Sequence, residues 1–180
     1  MNTIYQCLTG VDIELKINHN GFYNFVSYIK DITNNYDRNN QLLHMVLNNL
    51  NKKILIITRI KNEQLYNMIK TTELDVDQLN INNMTSNSRV LLSTYANISN
   101  INSVNSLNID ILIISFPFNF VVLEQLCGIK SLNNPKHIIY LKDVDDIANK
   151  YWQSNQHWFN QNEYNIETID NSEIDGNPSN

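Results

Sequence analysis

The side chains able to do chemistry are few in this sequence, and none stands at a spacing that makes a reactive centre. The four histidines, His19, His44, His137 and His157, include no HxxxH pair, the spacing that turns two imidazoles onto one helix face toward a metal. Cys7 and Cys127 form no CxxC and suggest two reduced thiols, not a metal or disulfide framework. No serine or cysteine sits on a strained nucleophile turn with histidine and a carboxylate to serve it. A phosphate-cradling loop would read GxxxxGK[ST]; the 180 residues hold only 4 glycines and no such run. Asp143, Asp145 and Asp146 form an acidic cluster, but at the start of a helix carboxylates favour the dipole there, a simpler reading than a magnesium site. Accordingly no catalytic residue, no metal ligand and no cofactor is expected.

Charge points the same way. The formal net charge is −5 with a pI near 5.2, whereas a free-standing nucleic-acid binder usually carries a basic face. Any such contact would be local or shared with a partner. Only 17% of residues are charged, and polarity is carried instead by 33 asparagines. These are interspersed with regular apolar blocks, which speaks for compositional drift and against a prion-like tract. No apolar run approaches the ~20 residues that cross a bilayer, and the N-terminus lacks the pattern of a signal peptide. An intracellular, soluble protein with no membrane contact is expected. The matches to a glycosylation sequon at Asn83 and Asn97 are chance-level in so Asn-rich a chain.

The elements that would have to position any site follow from hydrophobic periodicity. Val11 to Ile17 alternates apolar and polar, predicting a half-buried strand at a sheet edge. His19-Asn20-Gly21 breaks it, and Phe22, Phe25, Val26 and Ile29 recur at helical spacing. A second helix is predicted over Asp37 to Leu50. Ile54-Leu55-Ile56-Ile57 is apolar on both faces, the signature of a buried parallel strand. Helix is predicted again for Asn62 to Lys70, and Thr71 to Ser88 reads mostly as loop. Val90-Leu91-Leu92 and Ile111-Leu112-Ile113-Ile114 are further buried strands, the latter stopped near Pro117. A helix from about Asn119 to Ile129, a strand from His137 to Leu141 and a helix from Asp143 to about Asn160 complete the pattern. Trp152, Trp158, Phe159 and Tyr164 fall at near-helical spacing and read as core or interface before base-stacking groups. The fold class is α/β: an open, mostly parallel sheet with helices on both faces. One domain is expected over 1–168, with a disordered polar tail over 169–180.

The order of these segments resembles the second RecA-like domain of superfamily 2 helicases, among them those of large DNA viruses and phages, including the poxvirus-type transcript-release helicase. Arg38-Asn39, on a helix before the strand of Lys53-Ile54-Leu55-Ile56-Ile57-Thr58-Arg59, is similar to the family's "RN" helix and "KILVLSDR" strand. Val90-Leu91-Leu92-Ser93-Thr94-Tyr95 is similar to "VILGTY". Ile111 to Pro117 is similar to the strand ending "ILATP", and Glu124-Gln125-Leu126-Cys127-Gly128 falls where the family has "EQxxGR". The resemblance covers Val11 to Ile169 and implies a RecA-like, three-layer α/β/α fold without a P-loop.

It also implies what is missing. The first domain would supply the phosphate loop and the magnesium carboxylate, and neither is present in these 180 residues. The second domain would supply arginines after the Gln–Gly motif, one acting as a finger that contributes about 10³ to 10⁵ in rate. Those positions hold Ile129 and Leu132, and the nearby Lys130 and Lys136 lack the planar guanidinium fork. After Thr94-Tyr95 the expected acid–glycine pair is replaced by Ala96-Asn97-Ile98-Ser99. The resemblance therefore implies a helicase-like scaffold without its chemistry, with a protein partner such as a first-domain helicase subunit or the transcription machinery. DNA or RNA would be held only weakly by the chain alone. Arg59, Thr94 and Tyr95 are the candidate backbone-contact residues; Arg38, Asn39, Gln125 and Gly128 are remnants of the motifs.

Overall fold

In a computed structural model, residues 3–80, 86–99, 107–128 and 137–169 are described. The strand β2 (Ile54–Thr58) is buried at every position, because its two faces feed two different cores. Leu55 and Ile57 enter one apolar cluster, while Ile54 and Ile56 enter the other. That alternation is the period of two of an extended chain, here with both sides dry. β4 (Val90–Thr94) and β5 (Ile111–Ile114) flank it in parallel, pairing Ile54 with Val90 and with Ile111. Beyond them lie the short β3 (Val76–Gln78), next to β4, and β6 (His137–Lys142), next to β5. β1 (Thr3–Leu8) sits between β6 and β7 (Asn165–Ile169). The sheet runs β3-β4-β2-β5-β6-β1-β7, and all its pairings are parallel.

Among the described residues six helices cover it. On one face α1 (Phe25–Thr33), α4 (Tyr95–Ser99), α5 (Phe120–Gly128) and α6 (Asp146–Gln161) contribute Tyr28, Ile32, Ile98, Leu123, Leu126, Trp152 and Phe159 to the first cluster. On the other, α2 (Tyr36–Leu47) and α3 (Glu63–Lys70) contribute Leu42, Met45, Val46, Leu65 and Ile69 to the second. The three-layer α/β/α class predicted from the doubly apolar strands is thus the architecture of the molecule. Asparagine finds structural use as well. Asn24, Asn35, Asn62 and Asn119 each accept a backbone N–H at a helix start, the placement where a short carboxamide is worth most.

Three expectations need correction. Val11 to Ile17 is not a strand of the sheet; it is extended chain whose ladder contact is an isolated antiparallel bridge from Ile17 to Tyr23. Its alternation is real as burial, since Ile13 is buried and Val11 and Leu15 pack on the first cluster, but no strand among the described residues pairs with it. The first strand is Thr3–Leu8, upstream of it. Thr71 to Ser88 carries β3, so part of the predicted loop extends the sheet. The turn at Asn18 to Phe22 requires Gly21, whose φ of +78° suits a residue without Cβ. β7 runs through Ile169, one residue into the predicted tail, and 170–180 lie outside the described residues. The aromatic residues near the C-terminus are core: Trp152 and Phe159 are buried, and Trp158 and Tyr164 pack against them.

Candidate functional site

In a parallel sheet, ligands gather where consecutive strands send their chains to opposite faces, beyond the carboxyl ends of the strands. β2 and β4 are such a pair. After β2 the chain enters α3, whose Leu65 and Ile69 pack in the second cluster; after β4 it enters α4, whose Ile98 packs in the first. Between them opens a cavity of about 260 Å³ lined by Thr58, Lys61, Asn62, Gln78, Leu79, Asn80, Leu92, Ser93, Thr94 and Asn97.

Its walls are built by strand ends and turn chemistry. Thr58 closes β2 by donating its hydroxyl to the Ile60 carbonyl at 2.7 Å. Asn62 caps α3 through Leu65 N at 2.9 Å and donates to Asn39 Oδ1 at 2.9 Å. Thr94 ends β4 and accepts the Asn97 N–H at 3.3 Å, so strand passes to helix without a loop. Asn97 Nδ2 reaches back to the Leu79 carbonyl at 3.1 Å, and Ser93 Oγ donates to the same oxygen at 3.3 Å. Leu79 and Leu92 are buried and give an apolar floor. Lys61, the cation of the lining, is ion-paired with Glu63, whose carboxyl is held below its ordinary range by that lysine. The cavity is therefore polar and close to electrically neutral.

Of the predicted contact residues, Thr94 lines this cavity. Arg59 is exposed on the turn directly after Thr58. Tyr95, half-buried, faces the other way: its ring lies 5.7 Å from that of Phe118 and its hydroxyl donates to Gln125 Oε1. Gln125 is exposed on α5 near the helix end at Gly128. Ile129, Lys130, Leu132 and Lys136 lie outside the described residues.

Arg38 and Asn39, named as motif remnants, lie outside this cavity's lining. Both are buried. Arg38 Nε donates to both oxygens of Asp143 at 3.0 Å, across the carboxyl ends of β1 and β6. Asp143 also accepts the Thr9 hydroxyl at 2.6 Å. Next to it Asp145 caps α6 through Ala148 N at 2.9 Å and accepts the Tyr28 hydroxyl at 3.2 Å. Burial pushes the Asp145 carboxyl above its ordinary value, with Asp143 adding to the effect, and burial raises the Tyr28 hydroxyl strongly. Asn39 spans the gap to α3, donating to the Thr33 carbonyl at 2.9 Å and to Gln64 Oε1 at 2.7 Å. The acidic cluster thus divides: Asp143 pairs an arginine, Asp145 caps the helix, and Asp146 is exposed in its first turn. Among the described residues no group of three or more His, Cys, Asp and Glu side chains could hold a metal, and no helix is long and apolar enough to cross a membrane.

Sequence reading missed Thr58, Lys61, Asn62, Gln78, Asn80, Ser93 and Asn97 as neighbours. The usable signal was the strand-to-helix junction itself, at Thr58 to Asn62 and at Thr94.

Solved structures with a similar fold include T4 UvsW, at a TM-score of 0.66 and 13% identity, covering 94% of this chain and 42% of that one. S. cerevisiae Dbp5 bound to RNA and ADP–BeF3 superposes at 0.61 with 11% identity, covering 97% and 43%. The C-terminal domain of the DEAD-box protein Dbp5 superposes at 0.55 with 12% identity, covering 93% of this chain and 90% of that domain. No family model matches the sequence, and no curated protein matches it. The shared feature is the fold, a RecA-like parallel α/β/α sheet like that of the C-terminal domain of the DEAD-box protein Dbp5. The chain spans less than half the length of T4 UvsW or of the RNA-bound Dbp5.

Proposed function

We propose that this chain is a helicase-like module of viral type with no catalytic chemistry of its own, acting through a protein partner and touching nucleic-acid backbone locally. The observation that carries the reading is a contrast within one fold. The strand-end groups Thr58 and Thr94 line an open polar cavity at the sheet's switch point, with Arg59 exposed directly after Thr58, whereas the finger positions hold Ile129 and Leu132. A hydroxyl and a guanidinium at strand ends can each donate to phosphate oxygens. Isoleucine and leucine can donate nothing to a transferring phosphoryl group. The net charge of −5 keeps such contact weak for the chain alone.

The test is ATP hydrolysis and strand binding on the same preparation. Hydrolysis stays at the buffer level with or without single-stranded DNA or RNA. Binding is detectable at low salt and fades steeply as salt rises. Strand-stimulated hydrolysis that Lys130→Ala abolishes would contradict the reading. Absence of binding even at the lowest salt would favour a structural protein that kept only the fold.

A second reading takes up the likeness to the C-terminal domain of Dbp5, which this chain covers to 90%: the chain is the second half of a split helicase whose phosphate-binding half is a separate subunit. That reading needs an arginine supplied in trans, and hydrolysis on mixing with such a subunit is its measurement.

A further inference from the structure

We infer that the cavity between β2 and β4 takes a single unpaired nucleobase, so that contact with a strand includes base recognition and is not confined to the backbone. This rests on the proposal above that the chain touches nucleic acid at this end of the sheet.

The lining decides the ligand class. A phosphate subsite needs unspent positive charge or several convergent N–H donors. Here Lys61 is paired with Glu63, and Arg59 is not part of the lining. The remaining polar groups are carboxamides and hydroxyls, over a floor of two leucines. Gln78 and Asn97 are the carboxamides best able to turn toward a ligand. Gln78 is half-buried on the edge strand β3 and makes one long bond, 3.4 Å, to Glu63. Asn97 uses Nδ2 on the Leu79 carbonyl, and its Oδ1 accepts no hydrogen bond among the described residues. Asn62 is committed to Asn39 and Leu65, so it serves as rigid wall.

Such a set offers donors and acceptors on one rim and apolar contact beneath, which is how a base is held: hydrogen bonds to its edge, side-chain contact to its face. At about 260 Å³ the cavity lies below the range of roughly 300–1,000 Å³ usual for drug-sized ligands, a scale for one base and not for a nucleoside triphosphate. Its position fits as well. A backbone held at Arg59 and at the Thr94 end of β4 passes the mouth of the cavity, and a base turned inward meets Gln78 and Asn97.

The experiment compares two single-stranded oligonucleotides of equal length and phosphate number, oligo-dA and a fully abasic strand, by fluorescence anisotropy across a salt series with the whole chain. Oligo-dA binds roughly tenfold more tightly, the scale of one amide–base pairing. The two salt slopes are equal, since the phosphates contacted are the same. Gln78→Leu and Asn97→Leu each bring oligo-dA down toward the abasic strand without changing the slope. Gln78 is the safer substitution for folding, because its side chain caps nothing. Equal affinity for the two strands, or a base effect that both variants leave intact, overturns the inference and leaves backbone contact standing. Failure to bind either strand removes both.

Discussion

At the β1–β6 end of the sheet, the carboxyl ends of the strands are covered by residues 11–33. The polar groups there are buried and mostly bonded to one another, with Arg38 Nη2 left without a partner among the described residues. Arg38, Asp143 and Thr9 form one hydrogen-bonded group, and Tyr28 with Asp145 forms a second beside it. At the β2–β4 end the same edge is open. Thr58, Ser93, Thr94, Asn97 and Gln78 line a cavity, where Asn97 Oδ1 accepts no hydrogen bond among the described residues and Gln78 makes one long one. The strands are parallel and apolar in both halves, so the sheet does not explain the difference. The chain leaving each strand does. A long excursion after β1 packs back over the edge, while a short turn after β2 leads into α3 and β4 passes directly into α4. One end is closed by its own chain, and the other keeps the cavity at which we propose that a strand docks.

The contrast sets an order of expected effects. Arg38→Met leaves Asp143 charged and buried without its counter-ion, a loss of about 3–5 kcal/mol. Urea unfolding should show it, and the double variant Arg38→Met with Asp143→Leu should regain most of it, because an apolar pair carries no desolvation cost. If the single change were harmless, the covered end would not be the structural half. Asn39→Ala strands the Thr33 carbonyl and the Asn62 carboxamide, worth about 1–3 kcal/mol for each buried group left unpaired, and a lowered Tm is the readout. Arg59→Ala should leave Tm unchanged. Its effect is on strand affinity at low salt, with the slope of log K against log salt reduced by about 0.7–0.9; an unchanged slope would place the phosphate contact elsewhere.

The smallest expected effect concerns pH. Burial raises the Asp145 carboxyl, so the folded protein binds that proton more tightly than the unfolded chain. The stabilisation is fully present below about pH 3.9, the unfolded value, and is lost as pH rises through the higher folded one. Asp145→Asn keeps a cap acceptor for Ala148 N but has no proton to lose. Relative to that variant, the parent should lose stability as pH rises through this acidic window, measured by urea midpoints. A parent that instead gained stability there would mean that the Ala148 and Tyr28 hydrogen bonds outweigh burial.

Much of the fold was legible because β2, β4 and β5 are apolar on both faces, a pattern that a strand covered on one side only has no reason to keep. β1 was not. Thr3-Ile4-Tyr5-Gln6-Cys7-Leu8 is less regular than Val11 to Ile17, yet it is flanked on both sides by strands, while the more regular stretch has no described strand beside it. Alternation reports one-sided burial of extended chain and says nothing of hydrogen-bonded neighbours. Similarly, Arg38 and Asn39 stood out by residue type and order, but their roles depend on Asp143 and Asn62, partners that no local pattern announces. At the open end Thr94 was singled out by the resemblance of its strand end, Val90 to Tyr95, to the family's motif. Asn97 and Gln78 were not, since in a chain with 33 asparagines one more carboxamide carries no signal.

Hydrogen exchange with and without a saturating single strand at low salt tests the division of the edge most directly. Protection should appear at residues 58–62 and 93–97, with amides of 9–38 unchanged. Protection concentrated in 11–33, or none at the β2–β4 end, would contradict that division.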